Sequence, residues 1–410
     1  MAKIDDSVKK KVPELRFPGF TDDWEERKLG ELTTSFSGGT PSAGNSSYYK
    51  GDIPFIRSGE INSDKTELFL TEAGLKSSSA KMVSVGDILY ALYGATSGEV
   101  GISQINGAIN QAILAIKPCD GYNSHFLMQW LKLKKQKIID QYLQGGQGNL
   151  SGSIVKNLVL KVPNFEEQKK NGAFFKQLDD TITLHQRKLD LLKEQKKGYL
   201  QKMFPKNGEK VPELRFAGFA DDWEERKLKD VTERVRSNDG RMDLPTLTMS
   251  ASSGWLDQKD RFSGDISGKE KKNYTLLKKG ELSYNHGNSK LAKYGVVFSL
   301  TNYEEALVPR VYHSFKALEN TSADFIEYMF STKLPDRELG KLISSGARMD
   351  GLLNINYDDF MNIHISIPNY EEQILMSAFF RKLDENIALH QRKLDLLKEQ
   401  KKGFLQKMFV

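Results

Sequence analysis

The sequence has little of what disulfides, metal sites and membrane spans require. Its 410 residues include one cysteine, Cys119, and six histidines. One cysteine cannot form an internal disulfide, and no histidine or cysteine pair has a metal-ligand spacing such as His-Glu-x-x-His, so no metal is expected. No apolar run approaches the ~18 residues that cross a bilayer, and the stretch Met1–Asp6 lacks the apolar core of a secretory signal. We therefore expect a cytoplasmic protein without a membrane partner.

Motifs for DNA methylation, ATP hydrolysis and DNA cleavage are also missing. The segment Val162–Phe165 has the wrong third residue for the Asn-Pro-Pro-Tyr type of adenine methyltransferase motif. The segment Gly264–Glu270 is one residue too short for a nucleotide-binding loop and ends in Glu where a magnesium-binding hydroxyl is required. The acidic stretch Pro335–Lys341 lacks the residue spacing of a nuclease site. We therefore expect no catalytic residue in this chain.

Length and charge allow two domains and only weakly favour a polyanionic partner. A chain of 410 residues exceeds one ordinary core. The 60 Lys and Arg residues outnumber the 54 Asp and Glu residues, giving a formal charge of +6. Many soluble proteins are this basic, so charge alone does not identify a nucleic-acid partner.

The chain repeats itself in two blocks. Lys11–Leu29 returns as Lys210–Leu228 with two substitutions, and Val162–Phe204 returns as Ile367–Phe409. The intervening residues, 30–161 and 229–366, are far less alike. A constant scaffold with two divergent inserts is what a reader of two different sites needs, although a duplication that drifted in its loops would give the same pattern. The predicted domains are two mixed domains at 1–162 and 210–367 and two helices at 163–209 and 368–410.

The second constant block predicts a long helix. Asn164 follows Pro163 and can cap the helix, and Glu167 stands where it would complete a capping box; Asn369 and Glu372 repeat the pattern. Some 40 residues at 1.5 Å each give a rod of ~60 Å, which is too long for a helix packed in one globular core.

Apolar residues recur along this helix at steps of three and four, which is typical of a coiled-coil seam. We expect the two copies to pair antiparallel, with Leu189 opposite Leu397, Ile182 opposite Phe404, Tyr199 opposite Ile387, and the polar His185 and Lys196 opposite Lys401 and His390. Alternatively, the polar members reach solvent at a loose end; a catalytic role for His185 is not expected. The predicted seam comprises Leu178, Ile182, His185, Leu189, Leu192, Lys196, Tyr199, Leu383, Ile387, His390, Leu394, Leu397, Lys401 and Phe404.

The two variable regions contain short β-branched runs separated by Gly, Asn and Ser, which predicts mixed α+β domains whose loops could enter a DNA groove. Asn, Gln and Arg in such loops suit paired hydrogen bonds to base edges, whereas Lys and Arg suit phosphates. Each of them could equally be an ordinary turn residue. The candidate DNA-binding residues are Arg57, Lys81, Thr96, Ser97, Gln147, Asn149, His286, Asn288, Lys290, Lys293, Arg310 and Arg348.

These residues resemble the specificity subunit of type I restriction-modification systems. The resemblance rests on Asp23-Trp24 with Lys28–Leu32, on Gly86–Leu89, on the Pro-Asn-aromatic-Glu-Glu-Gln helix start, and on the paired order of the blocks. It implies an α+β fold with two pseudo-two-fold-related target-recognition domains separated by an antiparallel two-helix coiled coil.

The resemblance also implies partners. Such a chain reads an asymmetric bipartite site in double-stranded DNA and docks two methyltransferase subunits and, through them, restriction and translocase subunits. S-adenosylmethionine, ATP and Mg would then belong to those subunits, and this chain would hold no cofactor. Two other classes stay open at this point, a DNA-organising coiled-coil protein and an enzyme with unfamiliar motifs; assaying the isolated chain for DNA methylation or nicking separates the second from a specificity subunit.

Overall fold

The computed structural model of the chain describes residues 12–143, 149–206, 208–262, 268–287, 289–343 and 352–410. It divides into two compact units. The first unit comprises Met1–Gln186 and Arg392–Val410, and the second comprises Arg187–Gln391. In the described ranges no helix is long and apolar enough to cross a membrane. No group of three His, Cys, Asp or Glu side chains there could hold a metal ion.

In its described residues the first unit contains ten strands and four helices, together with the beginning of a fifth helix. The strands are β1 Glu25–Lys28, β2 Thr33–Ser37, β3 Tyr49–Ile56, β4 Phe69–Leu70, β5 Lys81–Val83, β6 Ile88–Ala91, β7 Val100–Ile102, β8 Gly107–Ile109, β9 Ile113–Pro118 and β10 Val159–Val162. The helices are α1 Leu29–Leu32, α2 Glu72–Lys76, α3 Ser124–Tyr142, α4 Gly152–Lys156 and the start of α5 Phe165–Lys202. Two 3₁₀ turns lie at Ser46–Tyr48 and Ser58–Glu60.

The second unit repeats this succession with different lengths. Its strands are β11 Glu224–Lys227, β12 Thr232–Arg234, β13 Leu247–Ser250, β14 Gly254–Asp257, β15 Thr275–Lys278, β16 Leu282–Asn285, β17 Val296–Ser299, β18 Glu305–Val308, β19 His313–Ala317 and β20 His364–Ile367. Its helices are α6 Leu228–Val231, α7 Gln258–Phe262, α8 Ala323–Ser331, α9 Asp336–Lys341, α10 Tyr357–Met361 and α11 Tyr370–Met408, whose last part belongs to the first unit. A 3₁₀ turn lies at Gly268–Asn273.

Both units are built on one framework. Each has a four-stranded antiparallel sheet, in the order β2-β9-β6-β7 in the first unit and β12-β19-β16-β17 in the second. Each also has a two-stranded ladder, β1-β10 or β11-β20, that joins the constant lead to the strand before the long helix. The predicted mixed α+β fold class is therefore confirmed.

The remaining strands differ between the units. In the first unit β4-β3-β8-β5 form a second sheet in which β3 and β8 run parallel. In the second unit the corresponding strands form two pairs, β13-β14 and β15-β18. The predicted variable regions, residues 30–161 and 229–366, therefore differ in how these strands pair.

The constant lead clamps the start of each long helix. As predicted, the Asn164 side chain caps α5 by accepting from the Glu167 amide at 3.0 Å, and Asn369 caps α11 in the same way. The capping box is wrong, however. Both carboxylate oxygens of Glu167 accept from Arg16 at 2.7 Å. A buried carboxylate gains more from a bidentate guanidinium than from a single amide, and Glu372 makes the equivalent pair with Arg215.

Aromatic rings join the lead to the end of a long helix in each unit. In the first unit the Trp24 ring lies 6.3 Å from Phe409 and 5.6 Å from Phe126. In the second, Trp223 lies 5.8 Å from Phe204 and 5.6 Å from Phe325. Edge-to-face pairs of this kind each contribute about 0.5–1.5 kcal/mol beyond the buried area.

The long helices pack antiparallel inside each unit. The Phe174 ring of α5 lies 5.1 Å from the Phe404 ring of α11, and Asp179, later in α5, forms an ion pair of 2.5 Å with Lys401, which is earlier in α11. In the second unit the Tyr199 ring lies 5.0 Å from Phe379 and Lys196 pairs with Asp384 at 2.5 Å. The antiparallel direction is as predicted.

The predicted register is wrong by about one heptad. Phe404 meets Phe174 instead of Ile182, eight positions away, and Lys401 meets Asp179 instead of His185, six positions away. The prediction paired the polar seam residues with one another. It did not take account of Asp179, which follows Leu178 and lies beside the seam. An ion pair with that carboxylate satisfies the lysine better than a neutral histidine does.

Candidate nucleic-acid interface

Several strands of the first unit begin or end at one edge, where the loops that connect them lie close together. The strands of the second sheet show this first. β3 and β8 run parallel with Ile56 opposite Ile109, so Arg57 leaves the sheet at the end where β8 finishes. β5 runs in the opposite direction along β8 and pairs its first residue, Lys81, with Ile109. Arg57 and Lys81, which are 24 positions apart in the sequence, therefore lie at the same end of this sheet.

Loops of the four-stranded sheet lie at the same end. Only residues 110–112 separate β8 from β9, and Ile113 at the start of β9 pairs with Ala91 at the end of β6. The turn that follows β6, which carries Thr96 and Ser97, is thereby placed at this edge. We call this side the first loop edge, defined by residues 37–40, 57–67, 79–81, 92–99, 110–112 and 149–152.

Asn149 joins the predicted turn across the chain. It forms a bridge with Tyr93, and the next amide, Leu150, donates to the Leu92 carbonyl at 2.8 Å. The first loop edge thus unites five of the predicted residues, Arg57, Lys81, Thr96, Ser97 and Asn149. Gln147 falls outside the described residues.

The two basic side chains at this edge, Arg57 and Lys81, differ in how freely they could contact a phosphate. Arg57 donates to Glu60 at 2.6 Å and to Glu67 at 3.2 Å, and the bond to Glu60 raises the pKa of Arg57. Burial raises the pKa of Glu60, but hydrogen bonds from Arg57 and Thr66 outweigh it and lower that pKa overall. A phosphate would have to replace these carboxylates at Arg57. Lys81 instead lies 5.4 Å above the Phe36 ring, which leaves its ammonium accessible.

The second unit opens at the equivalent edge. Its sheet pairs Tyr284 near the end of β16 with His313 at the start of β19, and Arg234 at the end of β12 with Phe315. The turn after β16 and the turn before β19 therefore share this end of the sheet, and with them the exposed Lys290, Lys293 and Arg310. We call it the second loop edge, defined by the described members of 234–245, 285–295, 309–312 and 352–357.

His286 is placed beneath this edge, not at its surface. Its ring is buried and lies 4.9 Å from the ring of His313, whose Nε2 is 2.9 Å from the Ile355 carbonyl oxygen. Burial, together with the charges of His286 and Arg234, lowers the pKa of His313 to about 4 against the opposing effect of the Ile355 contact. The backbone of His286 accepts from the Leu353 amide at 2.9 Å, as Leu92 does from Leu150 in the first unit. Two other predicted residues, Asn288 and Arg348, fall outside the described residues.

A family model matches the greater part of the chain in two copies. The model for the type I restriction modification DNA specificity domain covers residues 21–194 and 220–399. The chain belongs to this family. The specificity subunit is accordingly the component that selects DNA sequence and is not itself the catalyst of the restriction-modification enzyme.

Named relatives agree with this assignment. The chain is 20% identical to the MjaVIII specificity subunit of Methanocaldococcus jannaschii over 97% of its own length and 93% of that protein. It is 28% identical to the MjaIX specificity subunit of the same organism, over 42% of this chain and 41% of that protein. The crystal structure of the type I system S subunit from M. genitalium has the same fold, with a TM-score of 0.64 at 13% identity over 97% of this chain and 99% of that one.

Sequence reasoning missed Arg234 and Tyr357. The Arg234 guanidinium lies 4.0 Å from the centre of the Tyr357 ring, at the second loop edge. The equivalent strand and helix positions of the first unit hold Ser35 and Gly152. Aligning the two repeats could have found this difference, because Thr34-Ser35 aligns with Glu233-Arg234 shortly after the constant lead.

Proposed function

We propose that this specificity subunit reads an asymmetric bipartite DNA target, one half with each unit. The observation that carries the proposal is one sheet order used twice with different side chains at its loop edge. In the strands next to the loop edges, Ser35 and Leu114 of the first unit correspond to Arg234 and His313 of the second. Because sequence is read by side chains that reach base edges, different side chains on one framework favour two different half-sequences.

The two halves would be separated by bases that neither unit reads. Half-sites contacted from one face of a duplex are about 10 base pairs apart from centre to centre, one helical turn. A spacer of roughly 6 base pairs follows if each unit reads about 4.

Methylation mapping tests this proposal. The chain is expressed with its partner subunits in a host that lacks other modification systems, and the methylated motif is determined by long-read sequencing. Replacing residues 30–161 with the corresponding region of another family member should change one half of the motif and leave the other half and its spacing intact. A single uninterrupted palindrome, or a change in both halves, would contradict the proposal.

We also propose that the long helices dock two copies of a methyltransferase subunit, which in turn bring restriction subunits. Each unit exposes a pair of leucines on these helices, Leu184 with Leu396 in the first and Leu191 with Leu389 in the second. Leu184 is 67% exposed and Leu389, its repeat equivalent, is 56% exposed. Large apolar side chains left open at equivalent positions favour a partner that binds twice. The partner would supply S-adenosylmethionine and flip the adenine to be methylated, acting on host DNA in the cytoplasm.

The stoichiometry of the complex with the cognate methyltransferase subunit tests docking. The double variant Leu184→Glu, Leu396→Glu should reduce a complex of one specificity and two methyltransferase subunits to one of each, measured by native mass spectrometry. The neighbouring exposed Thr183→Glu adds one of these two charges, on the same helix as Leu184, and should retain both copies. Retention of both copies by the leucine variant would place docking elsewhere.

A further inference from the structure

Arg234 has an arrangement that other arginines near the loop edges lack. In the described part of the chain its guanidinium has no hydrogen-bond or ion-pair partner, whereas Arg57 is bonded to Glu60 and Arg241 to Glu305 at 2.7 Å. Its guanidinium carbon instead lies over the Tyr357 ring, 4.0 Å from the ring centre. Stacking fixes the plane of the guanidinium while its N–H groups stay free to donate.

Tyr357 is itself held firmly. It is the first residue of α10, directly after the capping Asn356, whose side chain accepts from the Asp359 amide at 2.8 Å. The His313 ring meets it edge-on at 5.6 Å. Burial raises the pKa of the Tyr357 hydroxyl to about 12. The support under Arg234 is therefore preorganised, so little side-chain entropy remains to be lost when the guanidinium binds.

Arg234 lies at the second loop edge, where the candidate DNA-binding turns of this unit meet. It ends β12 at the second loop edge, and the segment 352–357 that supplies Tyr357 is bonded to the turn after β16 through the Leu353 amide and the His286 carbonyl. The first unit has Ser35 and Gly152 in these places and so has no counterpart of the stacked pair. Whatever Arg234 reads is read in one half of the target only.

We propose that Arg234, held on Tyr357, reads a guanine in the half-site of the second unit by donating to O6 and N7 in the major groove. This rests on the proposed division of the target between the units. A planar fork with two parallel donors matches the paired acceptors of guanine, and no other base offers both in the major groove. A phosphate contact would not require a fixed plane, because a flexible lysine serves as well.

The test combines variants with altered bases. The motif of the wild-type complex is first mapped by methylation, and the swap of residues 30–161 identifies the half that belongs to the second unit. Binding of the complex to duplexes with 7-deazaguanine at each guanine of that half is then measured by fluorescence anisotropy. Removal of N7 at one position leaves O6 in place and should weaken wild-type binding about 10-fold, the effect expected for loss of one of the two hydrogen bonds. Arg234→Ala should make that position insensitive to the substitution.

Further variants separate this role from a structural one. Tyr357→Phe keeps the ring and should keep the preference, whereas Tyr357→Leu should weaken it, with thermal unfolding verifying that each variant is folded. Arg226→Ala, in the constant lead of the same unit, is the matched control and should behave as wild type. The proposal is overturned if the half contains no guanine, if the methylated motif of Arg234→Ala keeps all its guanines, or if Arg234→Ala weakens all duplexes equally with a smaller salt dependence, the mark of a phosphate contact.

Discussion

One aspartate in each unit holds side chains from two other helices. Asp179 accepts from Lys401 of α11 at 2.5 Å and from Gln129 of α3 at 2.6 Å. In the second unit Asp384 accepts from Lys196 at 2.5 Å, and Tyr328 takes the place of Gln129 at 2.8 Å. Because Gln129 and Tyr328 belong to the variable regions, this carboxylate ties the variable part of each unit to its constant helices.

Asp179→Asn should therefore destabilise the protein by about 1–2 kcal/mol, because a charge-assisted hydrogen bond to a largely buried lysine is weakened. Urea unfolding of the chain measures the effect. The next residue offers a matched control, since Asp180 pairs only with the exposed Lys176 on the same helix. Asp180→Asn should change the free energy of unfolding by less than about 0.5 kcal/mol. Equal effects of the two variants would argue against the role of Asp179.

His313 should make the second unit sensitive to acid. Burial lowers its pKa to about 4 from the ordinary 6.5, so the unfolded chain binds more protons between these values and stability falls as pH decreases through this range. The loss is about 3 kcal/mol by pH 4. His313→Leu, which installs the residue found at the equivalent Leu114, should flatten the dependence of unfolding free energy on pH from 6.5 to 4. The exposed His364→Leu variant should retain the slope; an unchanged slope in His313→Leu would disprove the assignment.

At the scale of elements, the helices were largely predictable and their pairing was not. The caps Asn164 and Asn369 and the limits of the long helices follow from local sequence, because capping and periodicity act within a few residues. The register depended on Asp179 and Asp384, which stand outside the apolar pattern. The parallel pairing of β3 with β8 joins residues about 50 positions apart, and such contacts leave no local signal.

The sequence predicted loop residues of the candidate interface but not the contact between Arg234 and Tyr357. Turn residues such as Thr96 and Asn149 stand out in the sequence because glycine and polar residues surround them. Arg234 ends a short strand and acquires its orientation from Tyr357, which lies 123 positions later. A contact of that kind becomes visible only when the sheet register is known.

The constant helix start separates two contributions that the capping-box prediction had merged. Asn164→Ala should cost about 1 kcal/mol, the usual value for loss of an N-cap. Glu167→Gln should cost about 3 kcal/mol, because it leaves the largely buried Arg16 without its carboxylate. Chemical denaturation of both variants measures the difference. Equal costs would mean that Glu167 acts only as a cap.

At the scale of the molecule, one framework carries two differently equipped loop edges. If each edge reads its own half-site, its specificity should move with the variable region that contains it. A chain in which residues 229–366 are replaced by a second copy of 30–161 should modify a target containing the same half-sequence twice. Methylation mapping in the host with the partner subunits shows the motif, and retention of the original second half would refute the modular division.

The composition of the two units also dictates an order of events on the ribosome. The second unit is a continuous stretch, Arg187–Gln391, whereas the first needs Arg392–Val410 to supply Lys401 and Phe409. At 5–20 residues per second, the 205 positions between 186 and 392 take roughly 10–40 s to translate. During that interval Trp24 and Phe126 lack their contact with the Phe409 ring, so the first unit is completed after the second. The nascent chain thus exposes an apolar surface until residues 392–410 have been made.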